Sequence, residues 1–267
     1  MITYPFNYHR AKSLADAEAL LANSPDAKLL AGGQTLIAAM RMRLAQPSDL
    51  IDISGLKELS FIRRDGDAVV IGAGVKHAEV AQSAEVLNAI PALAELAESI
   101  GDPAVRHMGT LGGSVANNDP AADYTAAVLA LNATITTNRN TIAADEFFTG
   151  MFSTALEDGE IVTGISFPLP ERAGYAKFRN IASRYAMAGV FVAKTKDGVR
   201  VAVTGAAPCV FRVPEMEAAL AKSFAPDSIA NIAISPNGLN ADLHGSAEYR
   251  AHLVTVMARR AVDAASK

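Results

Sequence analysis

The chain has 267 residues, half of them apolar, enough for one large domain or two ordinary ones around a sizeable core. A formal net charge of −4 without any run of Lys or Arg excludes a nucleic-acid or anionic-membrane partner as the first expectation and favours a small molecule or another protein. The single cysteine, Cys209, excludes an internal disulfide, a four-cysteine zinc site and a cysteine-ligated iron–sulfur cluster within the chain.

The start, Met1-Ile2-Thr3-Tyr4-Pro5, lacks the basic and apolar regions of a leader, and no apolar run approaches the roughly 20 residues that span a bilayer. A cytoplasmic protein with no membrane span is expected. Ser13 reads as the N-cap of a helix through Asn23, with Leu14, Ala17, Leu20 and Leu21 on one face. Lys28 to Ala31 reads as a short strand that breaks at Gly32-Gly33 and passes through Gln34-Thr35 into a helix from Leu36 to about Leu44. Pro47 stops that helix, and Leu50 to Ile53 returns as a strand.

From Phe61 the pattern turns antiparallel: Phe61 to Arg64, a hairpin turn at Asp65-Gly66, then Ala68 to Ala73. Val86 to Ile100 reads as two helical segments divided at Pro91. The run Gly109-Thr110-Leu111-Gly112-Gly113-Ser114 reads as a tight turn followed by a helix start at Asp119-Pro120, with Ala121 to Leu131 as a strongly apolar helix. Ala133 to Thr137 and Ile161 to Phe167 are strands, and Pro168-Leu169-Pro170 marks a domain boundary between 1–170 and 171–267. Beyond it, Tyr175 to Asn180 is a strand, and Gly189 to Lys194 pairs with Val199 to Gly205 around Lys196-Asp197-Gly198. Helices over Pro214 to Lys222 and Ser246 to Ala265 complete the chain.

Two glycine turns carry the chemical signal. Glycine permits positive φ and lets a ligand approach the main chain, so consecutive N–H groups there form an anion-binding concavity. Each turn also has a hydroxyl, Thr35 in one and Thr110 and Ser114 in the other, and neither contains a Lys or Arg. A phosphate cradle built from neutral donors is one reading; close-packing glycines are the other. Asp119 and Asp123 are explained as a helix cap and a first-turn acid, or Asp123 as an acceptor for a sugar or ribityl hydroxyl. Lys177, in Tyr175-Ala176-Lys177-Phe178, either faces solvent or reaches a ligand from the second domain. The five histidines lack metal-binding spacing and are expected mostly at the surface. Gly112-Gly113-Ser114-Val115-Ala116 fails the nucleophile-elbow pattern at its last position, Gly72-Ala73-Gly74 lacks the third glycine of a Rossmann fingerprint, and no Walker lysine follows any glycine turn.

Taken together these residues resemble the FAD-binding medium subunit of the molybdenum hydroxylases, of the carbon monoxide dehydrogenase and xanthine dehydrogenase type. Leu30-Ala31-Gly32-Gly33-Gln34-Thr35-Leu36 is similar to the family's first flavin loop, Thr110 to Asp123 to its second, and Ala247-Glu248-Tyr249-Arg250 through Ala261 to its C-terminal helix. Thr35 stands where Ser is usual and Ser114 where Asn is usual, and Ser183 to Met187 lies where many members carry an acidic residue. The resemblance implies an α+β fold: a two-subdomain, vanillyl-alcohol-oxidase-like (PCMH-type) FAD-binding domain and a small C-terminal domain of antiparallel sheet plus helices. It implies FAD held without a covalent tether by Ala31, Gly32, Gly33, Gln34, Thr35, Leu36, Gly101, Thr110, Gly112, Gly113, Ser114, Asn117, Asp119, Asp123, Val162 and Lys177, with Tyr185 stacking on or covering the ring. It also implies an oxidoreductase subunit without catalytic acid or base, relaying electrons from a small [2Fe-2S] subunit, fed by a large molybdopterin subunit, to an external electron acceptor. The alternatives are a self-contained FAD reductase or oxidase of the same fold, and a flavin-free scaffold subunit.

Overall fold

The computed structural model describes residues 2–266. The first layer is a parallel sheet in the order β1-β3-β2, formed by β1 (Asn7–Arg10), β2 (Lys28–Leu30) and β3 (Asp49–Asp52). Helices α1 (Leu14–Asn23) and α2 (Leu36–Arg41) make its crossovers. Ser13 caps α1 by accepting from the Asp16 N–H, as its position before an apolar-periodic run predicts. Ala17, Ile51, Ile53, Leu56 and Leu59 form the core of this layer.

The second layer is antiparallel, in the order β4-β5-β10-β6-β7, with β4 (Ile62–Asp65), β5 (Ala68–Gly72), β6 (Thr134–Thr137), β7 (Thr141–Ala143) and β10 (Val162–Pro168). The β4–β5 hairpin turns where Asp65-Gly66 predicts it, with Gly66 at φ 55°. Helices α3 (His77–Gln82), α4 (Ala84–Ala89), α5 (Pro91–Glu98), α6 (Pro103–Arg106), α7 (Leu111–Asn117) and α8 (Asp123–Ala130) lie over this sheet. The short α9 (Ala144–Phe147) leads into the β8 (Phe148–Gly150) and β9 (Ser153–Thr154) hairpin.

The third layer is the antiparallel sheet β11 (Arg172–Arg179), β12 (Ala186–Thr195), β13 (Gly198–Thr204) and β14 (Phe211–Arg212), with α10 (Pro214–Lys222) and α11 (Ala247–Ala264). The near-continuous apolar run of β12 is that of a strand buried on both faces. Ala188, Val190 and Val192 pack in the cluster of α10 and α11, whereas Phe191 and Ala193 pack in the cluster of α8. Every residue of α8 is buried, so this helix is enclosed between the second and third layers.

Two expectations are corrected. Gly112 and Gly113 are not in a tight turn ahead of the helix but in the first turn of α7, and Asn118, at φ 43°, ends that helix. Asp119-Pro120 does not start the next helix; α8 begins at Asp123, and the Asp119 carboxylate instead accepts from the Ala121 N–H. Of the five histidines, expected mostly at the surface, His107, His244 and His252 are exposed and His77 is the buried exception. Among the described residues no helix is long and apolar enough to cross a membrane.

Helix α11 lies directly on β11 because Gly174 has no side chain: a Cβ there would stand 2.1 Å from the Ala261 carbonyl oxygen. Gly174→Ala must push the helix off the sheet. A loss of about 1–3 kcal/mol is expected, read as a lowered midpoint in denaturant titration of the purified protein.

Candidate functional site

The two glycine stretches meet. A Cβ on Gly32 would lie 2.2 Å from the Met108 carbonyl oxygen and 2.7 Å from the Gly109 Cα, so the backbones touch where the first layer meets the second. Beyond that contact the chain turns at Gly33, whose φ of 70° favours glycine, and enters α2 through Thr35. Thr35 makes no side-chain cap. None of the backbone N–H groups from Gly32 to Leu36 has an acceptor among the described residues.

The second stretch is bound down instead. Leu111 and Gly112 donate their N–H groups to the Val75 and Ala73 carbonyls, each at 2.9 Å, and Ser114 donates to Thr110 O at 3.0 Å. Thr110 Oγ1 accepts from the Gly113 N–H at 3.1 Å as the cap of α7. Gly112 is packed on Ala73, where a Cβ would find only 2.4 Å. Gly113 is exposed: a Cβ there would meet only Thr110 Oγ1 at 2.8 Å and Ala31 Cβ at 4.0 Å. One stretch therefore offers uncommitted donors and the other a wall without side chains.

Asp123 and Lys177 also come together, 54 positions apart in sequence, by packing of α8 against the third sheet. Lys177 Nζ lies 2.9 Å from Asp123 Oδ1 and 3.0 Å from Oδ2, and the Tyr175 hydroxyl donates to Oδ1. Both charged side chains are about 95% buried, at 6% and 5% exposure. Burial pushes the Asp123 carboxyl above its ordinary range, opposed by Lys177 and the Tyr175 hydroxyl. Tyr175 was not singled out from the sequence, although it sits two positions before Lys177 on a strand and so shares its face.

Tyr185 lies half exposed on a cleft of about 370 Å³ between Pro120, Met151, Asn180 and Met187. Arg250 supports this cleft from within, donating to the Met187 and Gly205 carbonyls and to Asp242. Gly101, at φ 49°, is tied to the Tyr185 loop because its carbonyl accepts from Arg184 at 3.1 Å. Arg184 carries no signal in the sequence that announces this contact. Val162 is buried in β10, and Asn117 is half buried at the end of α7. Gln34, Thr35 and Leu36 remain at least partly accessible.

The glycine stretches offer neutral donors beside a bare backbone wall, which suits an anionic ligand, whereas the cleft at Tyr185 is lined by neither stretch and by neither Asp123 nor Lys177. Residues 4–170 match the family model for the FAD binding domain in molybdopterin dehydrogenase. The chain belongs to this family. The carbon monoxide dehydrogenase medium chain of Hydrogenophaga pseudoflava is 37% identical, over 99% of this chain and 98% of that one. The nicotine 6-hydroxylase medium subunit of Paenarthrobacter nicotinovorans is also 37% identical, over 96% and 95%. Among solved structures, quinoline 2-oxidoreductase from Pseudomonas putida 86 superposes with a TM-score of 0.92 at 27% identity, covering 100% of this chain and 99% of that one. The chain is thus an FAD-binding medium subunit of the molybdenum hydroxylases, with their α+β fold, and its relatives are subunits of oxidoreductases. The unpaired donors of Gly32 to Leu36 and the exposed Gly113 fit the phosphates of FAD.

Behind this medium subunit's second glycine stretch, the His77 ring packs on Gly109, where a Cβ would lie 2.6 Å from Nε2, and tilts against Tyr124 at 5.4 Å. Burial, helped by the Arg106 charge, depresses the imidazole from 6.5 to about 4. The unfolded chain therefore binds this proton first as pH falls. Stability should drop as pH is lowered from 6.5 to about 4, by about 3 kcal/mol from this residue, and level off below. Urea titrations across that interval should give a shallower dependence for His77→Gln than for the wild type.

Proposed function

We propose that this subunit holds FAD as the electron relay of a larger enzyme, receiving electrons from a small [2Fe-2S] subunit fed by a large molybdopterin subunit and passing them to an external acceptor. The observation that carries the reading is the unpaired run of N–H groups from Gly32 to Leu36 set against the side-chain-free surface at Gly113. When bound, FAD supplies a carrier that accepts single electrons and releases them in pairs. The chain's own residues bind and orient it. Backbone donors of Ala31 to Leu36 receive the pyrophosphate, Thr110 shapes the wall through its cap, and Tyr185 covers the ring. Gly101, Asn117, Asp119 and Val162 serve as boundary and packing positions, and Lys177 of the third layer, held by Asp123 of α8, closes the site.

The lone Cys209 supports the division of labour, since a cysteine-ligated cluster must be supplied by another chain. The proposed boundary between the flavin part and the C-terminal part is at 170/171, and the proposed compartment is the cytoplasm. The substrate of the complex never touches this chain on this reading.

The test is purification from cells expressing the partner genes, with a visible spectrum and identification of the chains that co-elute. Flavin bands, FAD released on denaturation, and cluster-bearing and molybdenum-bearing partners are the expected result. Dehydrogenase turnover by the chain alone would favour a self-contained enzyme, and a colourless complex a scaffold. Gly113→Val should reduce FAD content at least tenfold, because the branched side chain enters the ligand's space and displaces the Thr110 cap; unchanged FAD content would remove the cradle from the argument.

A further inference from the structure

We infer that Tyr175 is a positioning residue: its hydroxyl fixes Asp123, and Asp123 in turn holds the Lys177 ammonium as the group this wall presents to a negatively polarised oxygen of FAD. This rests on the flavin reading above.

Asp123 links the other two groups. Oδ1 takes the Tyr175 hydroxyl and Lys177 Nζ, and Oδ2 takes Nζ again, in a side chain that is only 5% exposed. The carboxylate is thereby fixed in one orientation. The Lys177 ammonium has three protons, and among the described residues its only acceptor is Asp123. A proton therefore remains for a ligand oxygen. Without Asp123 the long lysine side chain would have many rotamers, and holding it in advance lowers the entropy lost on binding.

Tyr175 is itself held for this task. It alternates with Lys177 on the same face of β11, pairs with Phe191 of β12, and packs on that ring at 6.1 Å. Opposite Lys177 stands Gly189, where a Cβ would lie 2.6 Å from the Tyr175 hydroxyl oxygen. Any other residue at 189 would close the channel through which the hydroxyl reaches α8. The three groups thus form one rigid unit joining the third layer to the first turn of α8.

The experiment uses the whole complex, stripped of flavin and titrated with FAD, with bound flavin read by absorbance and fluorescence. Tyr175→Phe keeps the ring and removes only the hydroxyl, and should weaken FAD binding about tenfold, the lower end of what one hydrogen bond to a charged group is worth. In a Lys177→Met background the same change should have no further effect, since its action passes through the ammonium. A Tyr175→Phe complex that binds FAD as the wild type does, or one whose loss is undiminished in the Lys177→Met background, overturns the inference. Should Tyr175→Phe fail to fold, Asp123→Asn takes its place: it keeps the shape, and its loss must likewise vanish beside Lys177→Met. A wild-type complex that binds no FAD at all would instead refute the flavin reading itself.

Discussion

The backbone contact between Gly32 and Met108–Gly109 sets the position of everything else at the site. It is the point at which the parallel layer touches the antiparallel one, and it works only because no side chain intervenes. The second stretch cannot yield there, since Leu111 and Gly112 are hydrogen-bonded to Val75 and Ala73 behind β5. The first stretch consequently takes its place against a fixed surface. The donors from Gly32 to Leu36 are left without acceptors among the described residues, in a chain that turns at Gly33 in the αL region.

Charges buried between layers give the second constraint. Asp123 and Lys177 join α8 to β11, while Arg250 of α11 reaches carbonyls of Met187 and Gly205 as well as Asp242. Removing ions from water costs several kcal/mol each, and their attraction repays this only with good geometry and additional hydrogen bonds. Such pairs are a weak source of net stability. What they determine is which groups face each other, and the apolar packing of β12 on both its faces holds the layers together around them.

Elements with a local signature were legible in the sequence. Ser13 caps the helix it precedes, Asp65-Gly66 makes its hairpin, and the Lys196-Asp197-Gly198 turn joins β12 to β13. The failures have tertiary causes. Glycine disfavours a helix interior, so Gly112-Gly113 read as a turn, but the approach of Gly112 to Ala73 outweighs that preference. Asp119-Pro120 is a good helix-start pair, yet Asn118 at positive φ and its side-chain bonds to Gly150 O and Ser153 O turn the chain first. The edge strand β1 went unseen because its four residues are mostly exposed and show no alternation. At the site, the glycines supplied an anion cradle from residues alone, whereas FAD and its partners came from the resemblance.

The unequal surroundings of the two stretches bear on the two positions, Ser114 and Thr35, at which the resemblance to the family's flavin loops is inexact. Ser114 stands where Asn is usual, but its N–H is engaged with Thr110 O and lies in a stretch whose contribution is its bare surface. Thr35 stands where Ser is usual in the stretch that supplies donors, so a change there has more consequence. Its hydroxyl is preserved, makes no cap within α2, and remains available beside the uncommitted N–H groups.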